Sequence, residues 1–289
     1  MQIVKGKIEQ AEMHIWYGPD GIGKTSALLS MPKPLIQDLD KGSGNLAKAE
    51  RFPAITTWDE AQVQYEWFKA SKDYQTLGID SLDRLEALII NHVVKASGKK
   101  NLDDVGGYGK GYQLVMDEWL KFSHIIIGLR ESGKNVILVG HSEVKTVNDP
   151  MTVPYDRYQL KLYHKAASLL RETVDNVFFF NSEVIAKEKE KRGFSDGLRY
   201  VFTERTPAWD AKNRFSLPMK FELPEENFFQ KYKEAKGEGL KPEELKKIIL
   251  EKASKLNTAD QELVIARVEE AGKDVDRLLK IKTKVEAYA

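Results

Sequence analysis

Gly18-Pro19-Asp20-Gly21-Ile22-Gly23-Lys24-Thr25 combines three glycines with a closing lysine and hydroxyl residue. A triphosphate needs many donors close together, and only a loop with little side-chain bulk lets backbone N–H groups wrap around it. Gly18, Gly21 and Gly23 supply that freedom. Lys24 would then reach the β and γ phosphates as a point charge, while Thr25 would offer its hydroxyl to Mg²⁺. A helix opening at this point adds its positive N-terminal end. The whole run from Gly18 to Ser26, with Pro19, Asp20 and Ile22 included, is therefore a candidate phosphate-binding loop for a nucleotide.

Such a loop must be held between a strand and a helix. Met13 to Tyr17 reads as a short buried strand, and Ser26 to Ser30 continues as a helix that Pro32 stops. Three further apolar runs end in chemistry-bearing residues. The first, 34–40, carries Asp38 and Asp40 to the edge where open parallel sheets bind ligands. A carboxylate there could orient water, or could equally cap a helix or a solvated turn. The second, 75–82, ends in Asp80 and has the form of a Walker B strand, whose acid holds the Mg²⁺ shell opposite Thr25. The third, 135–142, is the clearest buried strand and ends in His141. Beside the phosphate-loop strand, such a histidine could sense the γ phosphate, though a lone histidine is more often structural. Farther on, Lys212 and Arg214 stand two apart, so a strand or turn aims them the same way.

The remaining segments supply scaffold and candidate partner surfaces. Residues 1–12 read as a lead-in or edge strand, 53–57 as another strand, and 58–72 as a helix with Val63, Trp67 and Ala70 turned inward as core. Residues 83–97 and 113–132 are amphipathic helices, the second with Trp119, Phe122 and Ile126 inward. Between them, 97–112 is rich in glycine and carries Lys99, Lys100, Lys110 and Tyr112. The irregular stretch 143–165 carries Lys145, Arg157 and Lys161. Cations interleaved with tyrosines on such loops could clamp phosphates and stack bases of single-stranded nucleic acid, or could be plain surface. A helix over 166–173, a strand over 174–180 and a hairpin over 183–203 with a charged turn at 190–196 follow. Residues 224–240 read as a linker to a charged helical appendage with 14 basic and 14 acidic residues from Glu225 onward. The pattern implies an α/β, mainly parallel sheet in residues 1–223 and a small helical appendage in 224–289.

Composition limits the classes available. With 42% hydrophobic and 31% charged residues and no apolar run near the ~20 needed to cross a bilayer, the chain reads as soluble, not membrane-bound. No secretory-signal layout is present, so a cytoplasmic location is expected. The absence of cysteine excludes disulfides, cysteine-zinc sites and thiol catalysis. A net charge of +1 means that nucleic acid would have to be held by a local patch.

The order of phosphate loop, strand ends at Asp40, Asp80 and His141, and then Lys212-Asn213-Arg214-Phe215 resembles the RecA/RadA-like ATPases over residues 10–222. It is most similar to phage-encoded members linked to single-strand annealing recombination. The resemblance implies ATP and Mg²⁺ as cofactors, with Lys24 and Thr25 in the phosphate and metal roles and Asp80 as the Walker B acid. Asp40 falls where that family places a water-activating glutamate, one methylene longer. Lys212 and Arg214 match the motif that reaches the γ phosphate of a neighbouring subunit, an in-trans contribution of about 10³ to 10⁵ in rate in other NTPases. Ser216 stands where the family often has glycine.

The expectation is a RecA-fold ATPase that works as a homo-oligomer on single-stranded DNA in recombination, annealing or replication, in a host cytoplasm if phage-encoded. The C-terminal helices would meet a single-strand binding protein or another replisome partner. Two alternatives stay open: a small-molecule P-loop kinase whose lid includes Lys187, Lys189, Lys191, Arg192 and Arg199, and a scaffold or loader that binds ATP without hydrolysing it.

Overall fold

The computed structural model describes residues 3, 10–187, 192–237 and 241–288. The lead-in expected over 1–12 falls mostly outside them, and Lys189, Lys191, part of the 190–196 turn and residues 238–240 of the 224–240 segment lie outside them.

The strands are β1 (Met13–Gly18), β2 (Pro34–Asp38), β3 (Thr76–Asp80), β4 (Asn135–Val147), β5 (Tyr155–Leu160), β6 (Asn176–Lys187), β7 (Arg192–Phe202) and β8 (Lys220–Glu222). The helices are α1 (Lys24–Leu28), α2 (Trp58–Ala70), α3 (Leu82–Ala96), α4 (Lys110–Glu131), α5 (His164–Thr173), α6 (Phe228–Lys236), α7 (Pro242–Ala253), α8 (Thr258–Ala271) and α9 (Val275–Tyr288). The sheet runs β2-β3-β4-β1-β6-β7-β8, with β5 paired to β4. β2, β3 and β4 form a parallel ladder, while β6, β7 and β8 are antiparallel. This is an α/β fold with a central, mostly parallel sheet flanked by helices. Its contacts divide into two compact units, which share out β1 and β4.

The first unit comprises Met1–Trp16, Met31–His141 and Leu160–Asp175. Its core is aromatic: Phe122 stands within 6.1 Å, ring to ring, of Trp58, Tyr65 and Trp119. Three buried polar side chains in this core are satisfied by one another or by a neighbour, as burial favours: Tyr65 donates to Gln37, Gln37 to Gln64, and Trp58 Nε1 to Glu118. Trp119, Phe122 and Ile126 face inward as expected. The expected inward stripe of α2 is overturned, because Val63 is 69% and Trp67 52% exposed. The buried face is instead Trp58, Ala61, Tyr65 and Phe68, where three aromatic side chains outweigh one, and Trp67 lies on the surface between Phe52 and Tyr74. No strand forms over 53–57. Thr57 and Glu60 build a capping box there and start α2.

The second unit comprises Tyr17–Ser30, Ser142–Gln159 and Asn176–Ala289. Alternation along β6 sends its phenylalanines to opposite faces. Phe178 and Phe180 meet Phe221, Phe228 and Tyr232, whereas Phe179 meets Tyr17, Tyr158, Phe202 and Trp209. Residues 228–236 are thus a packed helix and not part of a linker: Phe228 and Tyr232 are each only 1% exposed. The irregular stretch expected over 143–165 is a hairpin-like pair of β4 and β5, joined across the strands by Thr146 and Asp156. Its β-branched and tyrosine residues suit a pleated ladder. α7, α8 and α9 close around a core of their own that includes Leu245, Ile249, Val264, Val268 and Leu278. Asn257 caps α8 through Asp260 N–H.

Candidate nucleotide-binding site

In the second unit the phosphate loop runs from the end of β1 into α1, as its spacing requires. Gly21 and Gly23 take φ of 69° and 109°, a region that favours glycine. At Gly18 the reason is space: a Cβ there would fall on the Phe180 carbonyl of β6. Lys24 is 6% exposed and folds across the loop, its Nζ donating to Gly18 O at 2.9 Å and Pro19 O at 2.7 Å. Thr25 and Pro19 are half-buried, Ile22 is buried, and Asp20, Gly21 and Ser26 are exposed. Two supports here escaped the sequence reading. Arg199 of β7 donates to Ile22 O at 3.2 Å, which holds the loop from outside. Ser30, just past α1, accepts from Phe229 N at 2.9 Å and so ties the loop's helix to α6. Arg199, a member of the kinase lid set, is thus engaged with loop backbone.

In the first unit strand register brings the acids to one level. Asp38 pairs with Asp80, and Asp80 with Val139. Asp80 is 8% exposed, and its carbonyl accepts from Leu39 N at 2.6 Å and Asp40 N at 3.3 Å. The Asp80–Ser81 peptide is cis. Asp38 serves the capping alternative: its carboxylate accepts from Gly42 N, Ser43 N and Ser43 Oγ and closes the 3₁₀ turn at Gly42–Asn45. Two residues beyond the level pair on their strands stand Asp40 and His141. They flank Asp83, in the first turn of α3, whose carboxylate pairs with His141 Nδ1 at 2.9 Å. Asp40 accepts from Arg84 Nε at 2.7 Å, and that bond and the charge of Asp40 push the Arg84 guanidinium above its ordinary pKa. Sequence reasoning missed Asp83 because an acid in a first helical turn reads as a dipole partner.

Lys212 is half-buried and bridges β6 by reciprocal 2.9 Å backbone bonds with Val177. Asn213 staples the turn, accepting from Phe215 N and Leu217 N, and Arg214 presents an exposed side chain. Ser216 has φ of 54°, the conformation for which glycine is the usual choice.

Among the residues expected to touch DNA, Lys99, Lys100, Lys110, Tyr112, Lys145 and Lys161 are exposed. Lys110 and Tyr112 lie on the first turn of α4 and not on the loop, and Tyr112 meets Tyr163 at 5.4 Å between ring centres. Arg157 does not belong with them. It is 5% exposed, and its Nη2 donates to the carbonyls of Thr206 and Trp209 and to Asp210, which anchors β5 to the 206–210 turn.

With this geometry in view, the family comparison is decisive: residues 11–215, most of the chain, match a family model described as an AAA domain. The chain belongs to the AAA domain family. This AAA domain is a P-loop ATPase fold, which carries ATP and usually Mg²⁺, and the family accounts for nucleotide binding and hydrolysis in general terms. No curated protein matches the chain. No helix among the described residues is long and apolar enough to cross a membrane.

Proposed function

We propose that this AAA domain is a RecA/RadA-like ATPase that acts on single-stranded DNA as a homo-oligomer, in phage-type recombination, annealing or replication, in the host cytoplasm. The observation that carries the reading is the strand order: β4, with His141 past its buried half, stands between β3, which ends in Asp80, and β1, which enters the phosphate loop. That order suits a residue that reports nucleotide state to the chain following β4.

Lys24 takes the β and γ phosphates once it leaves its carbonyl partners. The Thr25 hydroxyl and the Asp80 carboxylate are hard oxygen donors of the kind Mg²⁺ prefers, and these residues would hold it. Bound there, the ion supplies neutralisation of phosphate charge. Asp40 orients the attacking water, and the exposed Arg214, with Lys212, reaches the γ phosphate of a neighbouring subunit. The Tyr112–Tyr163 ring pair, with Lys110 and Lys161 beside it in sequence, supports base stacking combined with phosphate contact. Lys99, Lys100 and Lys145, all exposed, are further candidate phosphate contacts, and α7–α9 meet a single-strand binding or replisome partner.

The test is steady-state ATP hydrolysis with and without single-stranded DNA at low and moderate salt, alongside Lys24→Ala and Arg214→Ala. The reading expects stimulation that fades with salt and is lost in both variants. Hydrolysis indifferent to DNA and to Arg214 overturns it.

A further inference from the structure

Three donors of the first unit converge from three elements. Asp40 follows β2, Asp83 opens α3, and His141 lies in β4, each held by the β2-β3-β4 ladder or by the turn that leaves it. One ligating atom from each lies within 4.8 Å of the others. The Asp83–His141 edge, at 2.9 Å, already matches the roughly 3.0 Å spacing of adjacent ligands around an octahedral ion with bonds of about 2.1 Å. The Asp40 side chain is 20%, Asp83 18% and His141 25% exposed, so the cluster is partly desolvated yet open to an ion. The turn that carries Asp83 also holds an unused oxygen: Ser81 Oγ is fully buried and has no hydrogen-bond partner.

We propose that Asp40, Asp83 and His141 form a divalent-cation site of manganese type, distinct from the nucleotide's Mg²⁺, that loads without nucleotide. Two carboxylates and an imidazole favour Mn²⁺ over Mg²⁺, because an imidazole nitrogen suits transition metals whereas Mg²⁺ takes oxygen almost alone. Without an ion the negative charge is met by Arg84 on Asp40 and by the imidazole on Asp83. Arg84, 65% exposed, can swing away into water when a cation takes over its role. The ion would then tie together the ends of β2 and β4 and the start of α3. The site shares Asp40 and His141 with the proposed ATPase machinery, but its loading needs neither the phosphate loop nor a bound nucleotide, so the two readings can fail separately.

The experiment titrates MnCl₂ into the full chain, stripped of metal and free of nucleotide, with Mg²⁺ in excess, following the electron paramagnetic resonance signal of free Mn²⁺. One bound Mn²⁺ is expected, with nitrogen coupling from an imidazole in its spectrum. His141→Ala and Asp83→Asn should weaken it by roughly tenfold or more, a loss that even outer-sphere partners can cause. Arg84→Ala should tighten it by removing a competing cation, and Lys24→Ala should leave it unchanged. Asp83→Asn keeps the size of the side chain, and the nitrogen coupling is read on the unaltered chain, so a misfolded variant does not decide the result. The site is refuted by no binding in the unaltered chain and in Arg84→Ala, by a spectrum without nitrogen coupling, or by binding that is lost in Lys24→Ala.

Discussion

Replacing Gly18 and Gly21 one at a time by alanine separates two reasons for glycine in one loop. At Gly18 a Cβ would fall on the carbonyl oxygen of Phe180, with its carbonyl carbon at 3.0 Å and Phe180 Cβ at 3.2 Å. These are chiefly backbone atoms of β6, which cannot rotate aside, so β1 and β6 must part locally at a cost of about 2–3 kcal/mol. At Gly21 nothing lies within 4 Å of the added carbon, and only the φ of +69° opposes it, at about 1 kcal/mol. Each kcal/mol lowers Tm by about 2–4 °C in a chain of this order of size. Gly18→Ala should therefore melt roughly 4–12 °C below the parent, and Gly21→Ala roughly 2–4 °C below it. Scanning calorimetry on the nucleotide-free full chain measures both. Gly23→Ala, with φ of +109° and the movable Arg199 Nη1 at 2.9 Å, should fall between them. A Gly18→Ala midpoint within a degree of the parent, or one above that of Gly21→Ala, would refute the packing argument.

Two further predictions concern stability. Ser216→Gly relieves the left-handed φ of 54° while keeping the carbonyl that accepts from Thr283 Oγ1 at 2.9 Å. It should gain about 0.5–1 kcal/mol after glycine's extra freedom in the unfolded chain is allowed for, read as a higher urea midpoint. An unchanged or lower midpoint speaks against strain at that position. Burial pushes the Glu118 carboxyl up, but the bonds from Lys121 and Trp58 and the charge of Lys121 outweigh it and leave the group below its ordinary 4.5. A lowered folded pKa means that the carboxylate's stabilisation is complete above about 4.5 and is lost as pH falls through the folded value. Urea denaturation of Glu118→Gln across pH 3 to 7 should lose less stability over the acid limb than the parent, and parallel curves would exclude the assignment.

The phosphate loop was legible from eight residues because its chemistry is local: backbone donors, three glycines and a lysine act within one turn of chain. The strand end at Asp80 was legible for a related reason, since a short apolar run ending in a polar residue marks the tip of a buried strand. The same pattern misplaced the end expected at His141, because β4 runs on past its buried half to Val147, where it pairs with β5. Periodicity failed where two faces of a helix compete. On α2 both the Val63–Trp67 stripe and the Trp58–Tyr65–Phe68 stripe carry aromatics, and only packing against Phe122 selects the second. Residues 228–236 look polar and charged in sequence, yet Phe228 and Tyr232 find Phe178 and Phe180 from the distant β6, with Phe221 of the neighbouring β8.

Arg157 makes the same point for single residues. Its charge suggests a phosphate contact, and only the fold surrounds it with the carbonyls of Thr206 and Trp209. Asp83 gains a partner because the β3 to β4 register carries His141 past the start of α3. By itself, then, the sequence determined the phosphate loop, the α/β alternation and the strand that ends in Asp80, because these depend on neighbours a few residues apart. The tertiary structure alone decided which aromatic face is core, which cation is buried and which acid meets His141. Those choices rest on contacts between segments tens of residues apart, and no local pattern encodes their register.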